Sequence, residues 1–244
     1  MPVAAPESTF EREVMKLEHY WLALPGPNWF NGAGLYSRFV DRVEGHAVAV
    51  ELGSWKGRSA CFMGVEIANS GKSIEFYAVD HWRGTPGESA HEQDADANDG
   101  RLFEVFEANI APIAAYVRPI RSDTVEAASR FPDESVDFLY VDAAHDYQGV
   151  LRDLDAWFPK VKSGGTIAGD DWDFFAAKDF EFGVRLAVCD FLGSATGSLC
   201  IENSAPSGAG NNWPQWSFVK TPAIVPSTPA ARLESQRHRR PRMG

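Results

Sequence analysis

Two short stretches of the chain follow an apolar run with residues that could do chemistry. The first is VELGSWKGRS, Val50 to Ser59, which places two glycines after its apolar run. The second is LYVDAAHDY, Leu139 to Tyr147, which ends its apolar run on Asp142 and carries His145 three residues later. A carboxylate can bind a cation, and a histidine with a pKa of about 6.5 can accept a proton near neutral pH. The two stretches therefore indicate a ligand-binding turn and a metal or acid–base site.

The glycine turn of the first stretch narrows the class of ligand. Gly53 and Gly57 let the backbone approach a ligand, and the helix start behind them offers free N–H groups, although the same turn could serve only to pack strand against helix. A dinucleotide fingerprint would need glycine where this chain has Glu51, and no G-x-x-x-x-G-K-[ST] sequence occurs. An acidic residue there suits a ligand with an amino group or a cationic centre, and S-adenosylmethionine has both.

The elements around these stretches alternate between strand and helix. The predicted strands are His46 to Leu52, Ser73 to Asp80, Tyr116 to Arg121, Val136 to Asp142 and Gly165 to Asp170. The predicted helices are Gly34 to Val43, Gly57 to Asn69, Asp99 to Asn109, Thr124 to Arg130, Asp146 to Val161 and a segment near Asp179 to Leu192. Such alternation predicts an α/β fold with a parallel sheet covered by helices on both faces.

The last two predicted strands differ from the others in their connection. They are Ser198 to Glu202 and Trp216 to Val219, and the turn-rich segment NSAPSGAGNNWP joins them. Turn residues of this kind favour a hairpin over a helical crossover. We therefore expect the sheet to end on an antiparallel pair.

Three domains are predicted along the chain. Residues 1–31 form a helical cap, because the apolar spacing from Ser8 to Leu24 and the Ser8/Glu11 capping box predict a leading helix. Residues 32–220 form the α/β domain. Residues 221–244 carry five arginines and one glutamate after a Pro/Ala-rich segment, and this composition predicts an unfolded tail.

Acidic or polar residues follow each of the five parallel strands. In an open sheet of this kind, ligands bind beyond the carboxyl ends of the strands, so these residues are expected to share one site. Asp80 is placed to bind ribose hydroxyls, and Ser122 with Asp123 is placed to bind an adenine amino group. Asp123 could instead cap the helix that follows it.

Five motifs together resemble a known family. ELGSWKGRS, VDHW, SDT, VDAAHDY and AGDDW look like the class I S-adenosylmethionine-dependent methyltransferases over roughly Gly32 to Val219. Within that class they look most like the metal-dependent O-methyltransferases related to macrocin and mycinamicin O-methyltransferases and, more distantly, to catechol O-methyltransferase. The resemblance implies a Rossmann-like, doubly wound sheet of seven strands with a reversed last strand.

The resemblance also implies the residues of the site. S-adenosylmethionine would be bound by Glu51, Gly53, Ser54, Gly57, Ser59, Asp80, His81, Ser122, Asp123 and Asp142. Mg²⁺ or another divalent cation would be held by Asp142, Asp170 and Asp171. His145 would be the catalytic base that removes the proton of the acceptor hydroxyl.

Several alternatives stay open at the level of sequence. His145 could merely cap or pack against the next helix, and Asp146 or Asp173 could replace one of the three aspartates as a ligand. The polar segment 81–99, with Trp82 and His91, could be a lid over the acceptor or a disordered surface loop. A metal-independent N- or O-methyltransferase and a non-catalytic S-adenosylmethionine-binding protein are the rival functions.

Composition and charge restrict the partners. The chain is 44% hydrophobic with a net charge of -11, which excludes a broad phosphate-binding surface for nucleic acid. No apolar stretch reaches the roughly 18 residues of a membrane span. The N-terminal residues lack the basic start and apolar segment of a secretion signal, so we expect none here. Three cysteines without metal-ligand spacing fit a reduced, cytoplasmic protein. The expected partner is a small-molecule hydroxyl acceptor, with a homo-oligomer left open.

Overall fold

The computed structural model describes residues 16–172, 183–203 and 214–239. The strands are β1 (His46–Leu52), β2 (Ser73–Asp80), β3 (Arg118–Arg121), β4 (Val136–Val141), β5 (Val161–Gly169), β6 (Cys200–Glu202) and β7 (Gln215–Val219). The helices are α1 (Ala33–Arg42), α2 (Arg58–Ser70), α3 (Ser89–Glu92), α4 (Ala95–Asn98), α5 (Leu102–Ile110), α6 (Thr124–Ala128), α7 (Tyr147–Trp157), α8 (Val184–Leu192) and α9 (Pro229–Arg239). Short 3₁₀ turns lie at Trp21–Ala23, Ala111–Tyr116, Phe158–Lys160 and Gly193–Ser198.

The strands form one seven-stranded sheet in the order β3-β2-β1-β4-β5-β7-β6. The pairs among β1 to β5 are parallel, whereas β7 runs antiparallel to both β5 and β6. This arrangement confirms the predicted Rossmann-like fold and its antiparallel ending. In register, Leu52 of β1 lies beside Val79 of β2 and Val141 of β4, and Val141 lies beside Gly169 of β5. The carboxyl ends of these strands therefore reach one edge of the sheet together.

Two hydrophobic clusters cover the two faces of the sheet. One includes Ala49 and the α2 residue Met63, and the other includes Val50 and the α7 residue Trp157. Neighbouring residues of β1 thus belong to opposite clusters, as the two-residue repeat of a strand requires. Because both faces are covered, the central strands β1 and β4 are mostly apolar rather than alternating. Glu51 interrupts that apolar run on the face of Ala49.

The leading helix predicted from Ser8 to Leu24 does not form as an α-helix in residues 16–24, the part that the structure describes. Residues 16–20 are not helical and Trp21–Ala23 is a 3₁₀ turn, while Ser8 to Met15 lie outside the described residues. The Asn69 side chain accepts the Leu17 N–H at 2.7 Å and donates to the Leu17 carbonyl at 2.9 Å, as a neighbouring strand would. The apolar spacing instead reflects Trp21, which packs against Phe30 and Phe62.

The tail also differs from its prediction. Helix α9 forms where an unfolded segment is expected, and its Arg232 is buried. The Arg232 guanidinium donates to both carboxylate oxygens of Asp155 at 2.7 and 2.8 Å, and it lies 5.2 Å from the centre of the Phe191 ring. A bidentate, ring-stacked arginine is a strong local anchor, and composition alone does not reveal it. The three domain boundaries themselves stay predictions.

Boundary shifts near β5 have a local cause. Helix α7 ends at Trp157 rather than Val161, because Pro159 lies in the 3₁₀ turn that follows. Strand β5 then begins at Val161, with a register irregularity against β4 between Val136 and Phe138. Among the residues described, no helix is long and apolar enough to span a bilayer.

Candidate active site

A cavity of about 610 Å³ opens at the carboxyl ends of the parallel strands. The predicted site residues that line it are Gly53, Ser54, Ser59, Asp80, His81, Asp123, Asp142, His145, Asp170 and Asp171. All five parallel strands contribute, so the structure brings together residues that are up to 118 positions apart in the chain. Glu51, Gly57 and Ser122 belong to the predicted set but do not line the cavity.

The turn between β1 and α2, residues 53–57, is called the β1 turn below. Gly53 has a φ of +85°, and a Cβ atom there would lie 2.1 Å from the Asp142 carbonyl oxygen. Gly57 has a φ of +83°, and its Cβ would lie 2.8 Å from the Phe106 ring. Both positions therefore require glycine for packing, and Gly53 also faces the cavity.

Asp80 holds the β1 turn from the end of β2. Its Oδ2 accepts the N–H groups of Ser54 at 2.9 Å and Trp55 at 2.8 Å, and its Oδ1 accepts the Trp82 N–H at 2.6 Å. A carboxylate has about four lone-pair positions, so one stays available for a ligand hydroxyl. The ribose contact stays a prediction, whereas the support of the turn is a role that sequence reasoning missed.

Glu51 requires a correction. It was expected to meet the amino group of the cofactor, but it lies beneath the β1 turn and only 1% of its surface is exposed. Its carboxylate accepts the hydroxyl groups of Tyr36 and Ser54, each at 2.6 Å. Burial raises the pKa of Glu51 to about 7. Because strand side chains alternate, Glu51 faces α1 and the core on the side of Ala49, not the cavity.

The residues after β3 divide between two roles. Ser122 is buried and donates to Glu126 at 3.0 Å, so its hydroxyl is directed away from the cavity. Asp123 lines the cavity and also caps α6, where it accepts the Val125 N–H at 2.9 Å. The helix-cap alternative for Asp123 is therefore observed, and its adenine contact stays a prediction.

Asp142, His145 and Asp171 form a compact group, called the acid–histidine cluster below. One possible ligand atom from each residue lies within 4.8 Å of the others. His145 Nε2 is 3.5 Å from Asp142 Oδ1 and 3.2 Å from Asp171 Oδ2. Asp171 adopts a φ of +58°, a conformation that costs energy for any residue but glycine and is common at functional sites. The arrangement provides two carboxylates and an imidazole around one point.

The predicted ligand set differs from this cluster in one member. Asp170 is buried and its Oδ1 accepts the Gln215 side-chain amide at 3.0 Å, so its carboxylate supports the end of β5. The third side chain of the cluster is that of His145, which the sequence predicts as the base rather than as a ligand. Asp146 caps α7 through the N–H groups of Gln148 and Gly149, so that alternative ligand has another role. The other alternative, Asp173, lies outside the described residues.

Burial and mutual repulsion set the charges of this region. Burial raises the pKa of Asp142 to about 6 and also raises the pKa values of Asp170 and Asp171. Burial alone would lower the pKa of His145, but Asp171, Asp142 and Glu88 together raise it well above its usual range. The sequence-based prediction of a largely neutral His145 near pH 7 therefore does not describe this arrangement. A cation held by Asp142 and Asp171 would offset their charge and return the ring toward neutrality.

The segment 81–99 is folded over the cavity. It contains α3 and α4, and Lys56 fixes it through ion pairs of 2.7 Å to Asp94 and Asp96. Of the two alternatives for this segment, the disordered surface loop is therefore not what the structure shows. Trp82 is buried in the core and donates its ring N–H to the Trp55 carbonyl at 2.8 Å, so its part is structural.

An aromatic wall, made of Trp29, Trp55 and His91, bounds the outer part of the cavity. The rings of Trp55 and His91 stack with centres 4.3 Å apart, and Trp29 lies 5.8 Å from Trp55. Sequence reasoning singled out His91 but missed both tryptophans and the buried Glu88. Trp29 belongs to a segment without motif, and Glu88 is one of many acids in a polar stretch, so only the fold distinguishes them.

Comparison with known proteins identifies the class of protein that has this fold. A family model described as a methyltransferase domain matches residues 50–172, just over half of the chain. The fold is that of the class I, S-adenosylmethionine-dependent methyltransferases. The chain belongs to this methyltransferase family.

Solved structures support the same fold. The O-methyltransferase NovP is 16% identical, with a TM-score of 0.56 over 78% of this chain and 80% of that one. A precorrin 8w decarboxylase from Methanobacterium thermoautotrophicum is 16% identical, with a TM-score of 0.52 over 82% of this chain and 95% of that one. An S-adenosylmethionine-dependent O-methyltransferase from Thermotoga maritima is 13% identical, with a TM-score of 0.51 over 82% of this chain and 68% of that one. At these identities the similarity shows the fold alone.

Proposed function

We propose that the chain transfers the methyl group of S-adenosylmethionine to a hydroxyl group of a small molecule, with help from Mg²⁺ or another divalent cation. One observation carries the proposal: the acid–histidine cluster shares a cavity with the β1 turn and Asp80. A methyl donor bound at the turn and a hydroxyl bound at the cluster would then meet inside one site. Such positioning accounts for much of the rate in transfers of this kind.

The donor set fits a hard divalent cation. Asp142 and Asp171 offer carboxylate oxygens, the ligands that Mg²⁺ prefers, and their raised pKa values show that buried negative charge lacks full compensation. Asp170 also lines the cavity, and its Oδ2 could join them while its Oδ1 keeps the bond to Gln215. A bound cation would supply positive charge that lowers the pKa of the acceptor hydroxyl.

In this proposal His145 moves the proton. The acceptor oxygen forms its bond to the methyl carbon as the carbon–sulfur bond breaks, and the electron pair of that bond stays on sulfur. The proton of the hydroxyl passes to His145 Nε2, which already faces Asp142 and Asp171. Methyl ether, S-adenosylhomocysteine and a protonated imidazole are the products.

The cofactor end of the cavity has residues for orientation rather than chemistry. The lone-pair position left on Asp80 would accept a ribose hydroxyl, and Asp123 would accept the adenine amine beside its capping bond. Ser59, in the first turn of α2, lies where helix N–H groups favour the carboxylate of the methionine moiety.

One observation favours the metal-independent rival. His145 can itself act as the counter-ion of Asp142, Asp171 and Glu88, since these carboxylates raise its pKa well above the usual range. A protonated ring would fill the electrostatic role of a cation but could not act as a base. The two functions therefore predict opposite responses to chelation.

The lining of the cavity indicates the class of acceptor, and the cysteines indicate the cellular compartment. The aromatic wall offers flat faces that suit a sugar ring, a phenol or a polyketide. We place the reaction in the cytoplasm, because three cysteines without metal-ligand spacing fit a reducing compartment. Small size is expected of the acceptor, since the cavity of about 610 Å³ must also hold the cofactor.

The test is methyl transfer from labelled S-adenosylmethionine to a panel of sugar, phenolic and polyketide hydroxyls. The protein is first stripped with a chelator and then supplied with Mg²⁺. Transfer that disappears on stripping and returns with Mg²⁺ supports the proposal. Transfer that survives stripping supports the metal-independent enzyme, and S-adenosylhomocysteine binding without transfer to any acceptor supports a binding protein.

A further inference from the structure

Glu88 is a buried carboxylate that the proposed reaction does not yet use. It lies just before α3 in the segment 81–99, and only 8% of its side chain is exposed. It lines the cavity together with His145 and Asp142. A carboxylate removed from water to this extent is costly unless a partner compensates it, so its contacts indicate its purpose.

Glu88 lies between two imidazoles: its Oε2 is 3.2 Å from His91 Nδ1, a nitrogen that already accepts the Thr85 N–H, and its Oε1 faces His145. Glu88 Oε1 lies 3.1 Å from His145 Nδ1, within hydrogen-bond distance. The opposite nitrogen, Nε2, faces Asp142 and Asp171. When Nδ1–H donates to Glu88, the proton of a neutral ring stays on Nδ1, and the Nε2 lone pair points at the acid–histidine cluster. Hydrogen bonding at one ring nitrogen thus decides which nitrogen can accept a proton.

The segment that carries Glu88 holds it in place. His91, three residues later, stacks on Trp55 with ring centres 4.3 Å apart. Asp94 and Asp96 are tied to Lys56 of the β1 turn. Both anchors belong to the β1 turn, so the position of Glu88 is fixed relative to the cofactor end of the cavity.

We propose that Glu88 is a positioning residue that selects the ring orientation and tautomer of His145, so that Nε2 is the nitrogen that receives the acceptor proton. The proposal rests on the proposed function, because it assigns the atom that performs the proton transfer. It adds that segment 81–99 supplies part of the proton-transfer machinery rather than acting only as a cover. Carboxylates that orient a functional histidine in this way commonly contribute about 10–100-fold to activity.

Three variants test this role by kinetics. Glu88→Ala should lower kcat about 10–100-fold with KM for S-adenosylmethionine unchanged, whereas Glu88→Gln, which keeps an accepting oxygen, should recover most of that loss. Glu92→Gln is the matched control, because Glu92 lies in the same segment, is exposed, and its carboxylate accepts the Gly87 N–H at 2.8 Å rather than contacting His145. Its kcat should equal that of wild type. A Glu88→Ala protein with normal kcat and a raised acceptor KM would overturn the proposal. So would equal losses in Glu88→Ala and Glu88→Gln, or a similar loss in Glu92→Gln.

A spectroscopic measurement tests it without turnover. Nitrogen-15 spectra of the His145 ring are recorded for protein loaded with Mg²⁺ and S-adenosylhomocysteine, at alkaline pH where the ring is neutral. The wild type should carry its proton on Nδ1, and Glu88→Ala should shift it toward Nε2. Identical ring spectra in the two proteins would overturn the proposal. Since no methyl transfer is needed, this result stands apart from the fate of the proposed function, which the acceptor panel decides.

Discussion

The β1 turn and the acid–histidine cluster face each other across one cavity but are stabilised in different ways. At the turn, the Asp80 carboxylate accepts three backbone N–H groups, and Gly53 permits the close approach to the Asp142 backbone. At the cluster, Asp142 and Asp171 face each other and His145. The turn is complete without a ligand, whereas the cluster carries buried charge that a cation or a proton must offset. The proposed function thus assigns binding to the turn and chemistry to the cluster.

The largest expected effect comes from removing charge at the cluster. Asp142→Asn keeps the shape of the side chain but removes a proposed ligand, so Mg²⁺-dependent transfer should fall more than about 10³-fold. Initial rates over a Mg²⁺ series measure it. Asp146→Asn is the matched control, because this neighbouring aspartate caps α7 and should keep full activity. Wild-type turnover in Asp142→Asn would show that the cluster holds no functional cation.

Removing the base should separate chemistry from binding within the cluster itself. His145→Ala should lose about 10²–10⁴-fold in kcat, because the hydroxyl proton then has no acceptor, while affinity for S-adenosylhomocysteine and Mn²⁺ stays near wild type. Single-turnover rates and calorimetry measure the two properties. A large loss of Mn²⁺ affinity would instead make His145 a metal ligand.

At the turn, the expected effect is on affinity. Asp80→Ala removes the ribose contact and three backbone bonds, so the dissociation constant for S-adenosylhomocysteine should rise about 10- to 100-fold. Titration calorimetry measures the constant, and a thermal melt confirms that the variant is folded. Unchanged affinity in a folded variant would show that Asp80 does not bind the ribose. It would also contradict the assignment of cofactor binding to the β1 turn.

The last expected effect concerns the stability of the fold beneath the turn and leaves the proposed reaction untouched. Glu51 has a pKa of about 7 in the folded protein against 4.5 for its ordinary value, so the folded state binds more protons than the unfolded state in this window. The contribution of Glu51 to the free energy of unfolding is therefore fully present below pH 4.5, and about 2–3 kcal/mol of it is lost as pH rises toward 7. Glu51→Gln should lack that component.

Urea unfolding of wild type and Glu51→Gln at several pH values gives the difference directly. Other carboxylates contribute equally to both proteins, so the difference isolates Glu51. Parallel pH profiles for the two proteins would contradict the raised pKa.

The sequence predicted the strand ends because they obey short-range rules. A two-residue repeat, a glycine turn and an acidic residue after each strand are local signals, and parallel strands bring their carboxyl ends to one edge. Asp80, Asp142 and His145 were all placed at the cavity on that basis. The direction of a side chain is harder to predict: Glu51 follows the same pattern but faces Tyr36 instead of the cavity, and Asp170 lines the cavity while it also binds Gln215.

Long-range contacts account for the other differences. Glu88 reaches His145 across 57 positions, and Arg232 reaches Asp155 across 77. Neither pair has a local signal, since each residue alone resembles an ordinary surface charge. A long-range contact also explains why the leading helix does not form: Asn69 binds the backbone of Leu17, 52 positions away. Spacing along the chain could not have predicted these contacts.

Anomalous scattering from a crystal of the protein soaked with Mn²⁺ and S-adenosylhomocysteine tests the central claim most directly. A single Mn²⁺ peak bonded to Asp142 and Asp171, with the sulfur of S-adenosylhomocysteine in the same cavity and its ribose at Asp80, is the expected result. A peak away from these two aspartates, or a cofactor bound outside the β1 turn, would contradict the division of the cavity into a binding turn and a charged cluster that performs the transfer.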